Sequence, residues 1–234
     1  MTASVGTAEV EAIVQRAEER FQAHRHQILR GTDRLFAALM GGQWLFGIAV
    51  ALAVSPHAWE GKVQTIHIHV WVAVLLGAAI SSLPVALALL RPGWVVTRHV
   101  IAGAQMLWSA LLIHLTGGRI ETHFHVFGSL GILSAYRDWP VLLTATVIVA
   151  GDHLVRGLVW PESVYGILNP EWWRFLEHAF WVVFAVAFLT MLCLRSLREM
   201  RLIAERGAEL EALSEGAWRR SSVLERVKLE QAAS

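Results

Sequence analysis

The feature that most constrains this chain is the recurrence of apolar runs about 20 residues long, the length of helix that crosses a bilayer. Such runs lie at about 35–54, 67–90, 96–115, 122–137, 141–159 and 173–194. Short polar or Gly/Pro-bearing connections such as Arg91-Pro92-Gly93 and Gly117-Gly118 separate them. The pattern predicts an all-α integral membrane bundle of about six transmembrane helices, because a helix satisfies its backbone polar groups internally. Composition agrees, with 55% hydrophobic and 17% charged residues, where soluble domains carry about a quarter charged. A net charge of +1 gives no reason to expect a nucleic-acid partner. The single cysteine, Cys193, excludes an internal disulfide and a cysteine-based metal site. Residues 1–33 are polar and charged, so the first apolar run reads as an uncleaved anchor.

Arginine placement sets the expected orientation. Arg16, Arg20, Arg25, Arg30, Arg34, Arg91, Arg98, Arg137, Arg195, Arg198 and Arg201 fall on one side, while Lys62, Arg119, Arg156 and Arg174 fall on the other. The positive-inside rule then puts both termini in the cytoplasm of a bacterial inner membrane. Trp59, Trp94, Trp139, Trp160, Trp172 and Trp173 sit at span ends, as an aromatic belt does. Three regions are expected: an amphipathic cytoplasmic helix over 1–33, the six-span domain over 34–195, and a cytoplasmic signalling helix over 196–234.

On this topology the ionisable residues gather at one depth. His67 and His69 open the second span, His114 lies near the end of the third, and Glu121, His123 and His125 open the fourth. Asp152 and His153 lie toward the end of the fifth, and Glu177 and His178 open the sixth. At ~1.5 Å rise per residue these groups fall within ~10 Å of one plane. Ionisable groups inside a membrane are costly and usually serve a function facing the bundle interior. Neutral imidazoles with nearby carboxylates suit a transition metal, whether zinc, copper or iron. The expected metal ligands are His123, His125, His153 and His178, with Glu121, Asp152 and Glu177 binding directly or orienting a ligand. His69 and His114 come next as cofactor-binding residues. Arg119 and Arg174 are placed to meet haem propionates or lipid phosphates. Residues i and i+2 of a helix point ~200° apart, so one metal cannot take both members of a regular His-x-His pair. The bland alternative is a hydrogen-bonded cluster that satisfies itself.

There is a faint internal repeat. His67-Ile68-His69-Val70-Trp71 parallels His123-Phe124-His125-Val126-Phe127, and each is followed by Pro-Val seventeen positions after its first histidine. Beyond Leu194 the chain stays helical but becomes charged. Ile203, Leu210, Ala217 and Leu224 recur every seven residues, with Leu213 and Val227 three beyond two of them, and Arg206 and Arg220 interrupting. That seam predicts a coiled coil and a homodimer.

The stretch from Gly117 to Phe127, then Tyr136-Arg137-Asp138-Trp139, then Asp152-His153, resembles an N-terminal membrane region. That region precedes bacterial sensor histidine kinases, chemotaxis receptors and diguanylate cyclases. The resemblance covers most of residues 30–200 and is specific around 117–140. It implies a non-catalytic sensory input module that signals to a cytoplasmic output domain or protein. Its matching positions are Glu121, His123, His125, Asp138, Trp139 and His153, and its members often carry histidine where this chain has Asp152. The expected function is a sensor holding a transition metal or metal-centred cofactor. The alternatives are a membrane metalloenzyme or a haem b protein using the same histidines.

Overall fold

In the computed structural model, which describes residues 2–233, the chain is overwhelmingly helical. The helices are α1 (Thr2–Val54), α2 (Ile68–Leu90), α3 (Val95–Leu115), α4 (Ile120–Leu133), α5 (Trp139–Val159), α6 (Glu162–Tyr165) and α7 (Arg174–Ala233). A 3₁₀ turn covers Ser134–Tyr136. Between α1 and α2 lies a hairpin, β1 (His57–Glu60) and β2 (Val63–Ile66), paired antiparallel with His57 opposite Ile66 and closed at Gly61. The sequence pattern predicts only a short connection here. Four residues per strand, with β2 wholly exposed, give too little periodicity to register.

Contacts divide the chain into two units, residues 27–194 and residues 1–26 with 195–234. In the larger unit, side-chain bonds fix the direction of each helix. His99 of early α3 meets Thr144 of early α5 (2.7 Å), and His114 at the end of α3 meets Ser163 just beyond α5 (3.0 Å). Hence α3 and α5 run parallel and α4 returns between them. Asp33 of α1 reaches Gly93 in the α2–α3 turn and Tyr136 after α4. The bundle therefore has a hairpin end, which also carries α6, and a Tyr136 end.

Helix α3 is the hub. It is the least apolar of the five helices long and apolar enough to cross a membrane, yet by far the most buried. The others show lipid-like faces, with Leu45, Leu75, Val147 and Phe180 each about 60–70% exposed. A helix surrounded by protein tolerates Arg98, Gln105 and Ser109, all of them buried; one facing acyl chains does not. Trp108 is fully buried, its indole donating to Ser81 Oγ at 3.0 Å. Gly47 and Gly77 let α1 and α2 close on its ring, since a Cβ at either would lie 2.8 Å from it.

Helix α4 differs from expectation. Its 14 residues rise ~21 Å, short of the ~30 Å hydrocarbon core. The left-handed Arg137 (φ 53°) stops the 3₁₀ turn, and Pro140 in the first turn of α5 fits a fresh helix start.

The Tyr136 end is held by two buried carboxylates. Asp33 accepts from the Gly93 amide (2.6 Å) and the Tyr136 hydroxyl (2.7 Å), and Arg98 pairs with Asp138 at 2.5 Å. Removing one partner of a buried pair costs about 3–5 kcal/mol, because the other charge stays buried. Arg98→Leu is therefore expected to lose that much stability. The double variant Arg98→Leu/Asp138→Leu should recover most of it in denaturant titrations of detergent-solubilised protein. Additive losses would refute the pairing.

In the smaller unit, the start of α1 and the end of α7 are bridged by Arg16–Glu215 (3.0 Å), Arg20–Glu211 and Arg201–Glu18 (2.9 Å). From Arg16 to Arg20 the partner number falls from Glu215 to Glu211, so the two segments are antiparallel there. Gln22, and then Arg201, hold the Glu18 carboxyl below its ordinary range, opposed by partial burial. The Arg201 guanidinium lies 4.5 Å over Phe21. Among the described residues, Ala17, Phe21, Met200, Ala204 and Ala208 are the buried ones here.

Candidate functional site

Three imidazoles meet at the hairpin end: His123 from α4, His153 from α5 and His178 from α7. Their ring centroids lie 5.5 Å (123–153), 5.4 Å (123–178) and 6.1 Å (153–178) apart. Each Nδ1 faces the carbonyl four residues earlier on its own helix: Arg119 O at 3.0 Å, Val149 O at 3.1 Å and Arg174 O at 2.9 Å. A carbonyl only accepts, so these bonds place the proton on Nδ1. In the neutral ring Nε2 is left as a bare acceptor. His123 Nε2 is buried with no hydrogen-bond partner. A buried acceptor in that state costs free energy until something fills it.

The site is braced from one side. His153 Nδ1 also lies 3.3 Å from Asp152 Oδ2, and both Asp152 oxygens accept from Arg156 (2.7 and 2.6 Å). Arg156 donates onward to Ser163 Oγ of α6 at 2.9 Å. The Tyr165 ring, also on α6, packs 5.5 Å from His178. Burial raises the Tyr165 phenol above its ordinary range, and the Arg174 charge pulls it partly back. Beside α6, the backbones of Gly118 and Gly166 touch: a Cβ on Gly118 would lie 2.2 Å from the Gly166 nitrogen.

A cleft of about 830 Å³ opens among α4, α5 and α7 below the three rings. Phe124, Phe127, Val149 and Phe184 contribute to its apolar walls, with Arg174 and Glu177 on the α7 side.

The other expected residues lie elsewhere. His125 is turned to the opposite side of α4, bonded to Gln43 of α1 (3.0 Å) and Ser109 of α3 (2.8 Å). Gln43 and Gln105 exchange amide bonds at 2.9 Å, and Ser129 donates to Gln105. His69 and His114 form a second grouping with His67 and Trp160, with ring centroids 4.4, 5.0 and 4.8 Å apart along the chain of contacts. Glu121 pairs with Arg119 on the exposed surface at 3.5 Å. Asp152 is engaged by Arg156, and Glu177 is exposed beside the cleft. The Gln43–Gln105 pair and the packing of Tyr165 on His178 are not legible in the sequence. Two lone amides within apolar runs were the available signal for the first.

Among the described residues no group of three or more His, Cys, Asp or Glu side chains stands in the geometry of a metal centre. The donor chemistry still fits one: in their neutral form the three imidazoles offer Nε2 as an acceptor, one of these an orphaned buried atom, each ring fixed by a carbonyl on its far nitrogen. Metal-ligating histidines are commonly held in this way.

These features define a helical bundle with long apolar helices and a polar cluster at one end. Over 97 residues the chain is 33% identical to Transducer protein Htr8 of Halobacterium salinarum. The match takes in 39% of this chain but only 15% of that protein. No family model and no solved structure matches the chain.

Proposed function

We propose that this chain is a sensory input module of a membrane, holding a transition metal through His123, His153 and His178. The similarity to a transducer supports the signalling role. The observation that carries the site is the common setting of the three rings, each with Nδ1–H donated to its own helix and Nε2 left open. His153 is further oriented by Asp152, which makes Asp152 a positioning residue under Arg156 rather than a ligand. A bound zinc, copper or iron would supply Lewis acidity or redox response. The protein supplies neutral donors and an apolar surround.

The chain would pass six times with both termini cytoplasmic, the short α4 and its 3₁₀ turn together making the return between the parallel α3 and α5, and α7 would pass occupancy to an output domain or protein. Helix α7 carries His178 at one end of its 60 residues and the heptad seam toward the other. That seam is exposed: Ile203, Leu210, Leu213 and Leu224 are each more than 60% accessible, whereas Ala204 and Ala208 are buried. A homodimer joined through the seam would cover it. Cysteines at Leu210 and Leu224 are expected to crosslink between subunits several-fold faster than one at Ala208, scored on non-reducing gels. Equal rates would remove the coiled-coil argument.

A second reading, haem b on the same histidines with Arg174 near a propionate, is favoured by the size of the cleft. The deciding experiment is elemental analysis together with a visible spectrum, on protein purified without a His tag. Near-stoichiometric metal without a Soret band supports the bare ion. A Soret band supports haem. Folded protein that is metal-free and cannot be loaded overturns both.

A further inference from the structure

The cleft is far larger than any ion, and at about 830 Å³ it falls in the range of small-molecule sites, roughly 300–1,000 Å³. Its body is apolar, walled by Phe124, Phe127, Val149 and Phe184. Its polar end presents three Nε2 lone pairs, because the ring protons are already given to Arg119 O, Val149 O and Arg174 O. The imidazoles there accept hydrogen bonds and offer none. On the α6 side, Tyr165 packs on His178 and Gly166 lies against Gly117 and Gly118. The flanking Phe124 and Phe180 are at least 60% exposed, on faces of the kind that meet acyl chains. Access from the bilayer, between α4 and α7, is therefore the open route.

We propose that this cleft binds the apolar body of a bilayer-dissolved hydroxyl compound of the phenol or quinol class, its hydroxyl donating to the Nε2 acceptors of His123, His153 and His178. The oxidised counterpart, a quinone, has only carbonyl acceptors and finds no donor on the three imidazoles. Among the described residues Arg174 is the one guanidinium lining the cleft, and it is accompanied by Glu177. This inference rests on reading the three imidazoles as a ligand site but not on a metal being present. A metal on the same nitrogens would occupy those lone pairs, so the preference for the hydroxyl form is expected of the metal-free site.

The test uses the full chain in phosphatidylcholine nanodiscs, with radiolabelled decyl-benzoquinol and decyl-benzoquinone as probes and empty discs correcting for partition. Metal content is measured on the same samples. The expected result is saturable binding of one quinol per chain, at least tenfold tighter than the quinone. Ala150→Trp, which fills the cleft and leaves the imidazoles in place, should abolish saturable binding while metal loading persists. Uptake no greater than that of empty discs, equal affinity for both redox forms, or a Soret band from haem in the cleft would each overturn the inference. Quinol binding by metal-free protein would support it, and if that protein also cannot be loaded with zinc, copper or iron the metal reading alone fails.

Discussion

His153→Ala is expected to strip the protein of metal, from near one ion per chain to below about a tenth. The variant should remain folded. His153 is one of the three proposed donors, and its Nδ1–H is divided between Val149 O and Asp152 Oδ2. His125 is committed to Gln43 and Ser109 on the far side of α4. His125→Ala should therefore keep its metal, while losing stability through the buried amides it leaves unmatched, on the order of 1–3 kcal/mol. Arg156→Leu provides the intermediate case. It frees Asp152 and weakens the hold on His153, and loss of such an outer partner typically costs ~10–100-fold in metal affinity. Elemental analysis and competition with a chromophoric chelator separate the three outcomes. Equal metal retention in His153→Ala and His125→Ala would show that the cluster is a structural hydrogen-bonded group.

Gly118→Ala is expected to prevent stable folding of the hairpin end. Gly118 has φ +74°, a region side chains rarely adopt, and the added Cβ would fall 2.2 Å from a backbone nitrogen that cannot swing aside. Strain of this kind costs ~1–3 kcal/mol before any clash is counted; with the clash, the loss belongs to the exceptional class above ~4–5 kcal/mol. The control is Gly128→Ala in α4, where a Cβ meets nothing within 4 Å. That change should be neutral or stabilising by up to ~1 kcal/mol from helix propensity. Thermal unfolding in mild detergent, with monodispersity checked by gel filtration, reads both. A Gly118→Ala protein as stable as wild type would mean that the α3–α4 and α6 loops are not in contact.

Much of the helix plan can be read from residues alone. The ends of α2 at Leu90, α3 at Leu115 and α5 at Val159 coincide with Arg91-Pro92-Gly93, Gly117-Gly118 and Pro161, because turn chemistry is local. The shortness of α4 is not local. It depends on Arg137 adopting a left-handed backbone beside the Arg98–Asp138 and Asp33–Tyr136 bonds, and those are contacts between distant parts of the chain.

For the candidate site, sequence alone determined which groups reach the hairpin end and that the two members of His123-x-His125 point apart, since helical rise and rotation are fixed per residue. It did not determine how each helix is turned about its own axis against its neighbours. Packing settles that rotation. Trp108 seats against Gly47 and Gly77, the Gln43–Gln105 pair fixes α1 on α3, and His123 thereby faces His153 and His178 while His125 faces inward. The same holds for the end of α7, where a seven-residue repeat names a seam, but only the buried Ala204 and Ala208 show that the seam lies on the helix's other, exposed side. Periodicity assigns a residue to a stripe on its own helix, and only tertiary contacts decide what that stripe meets.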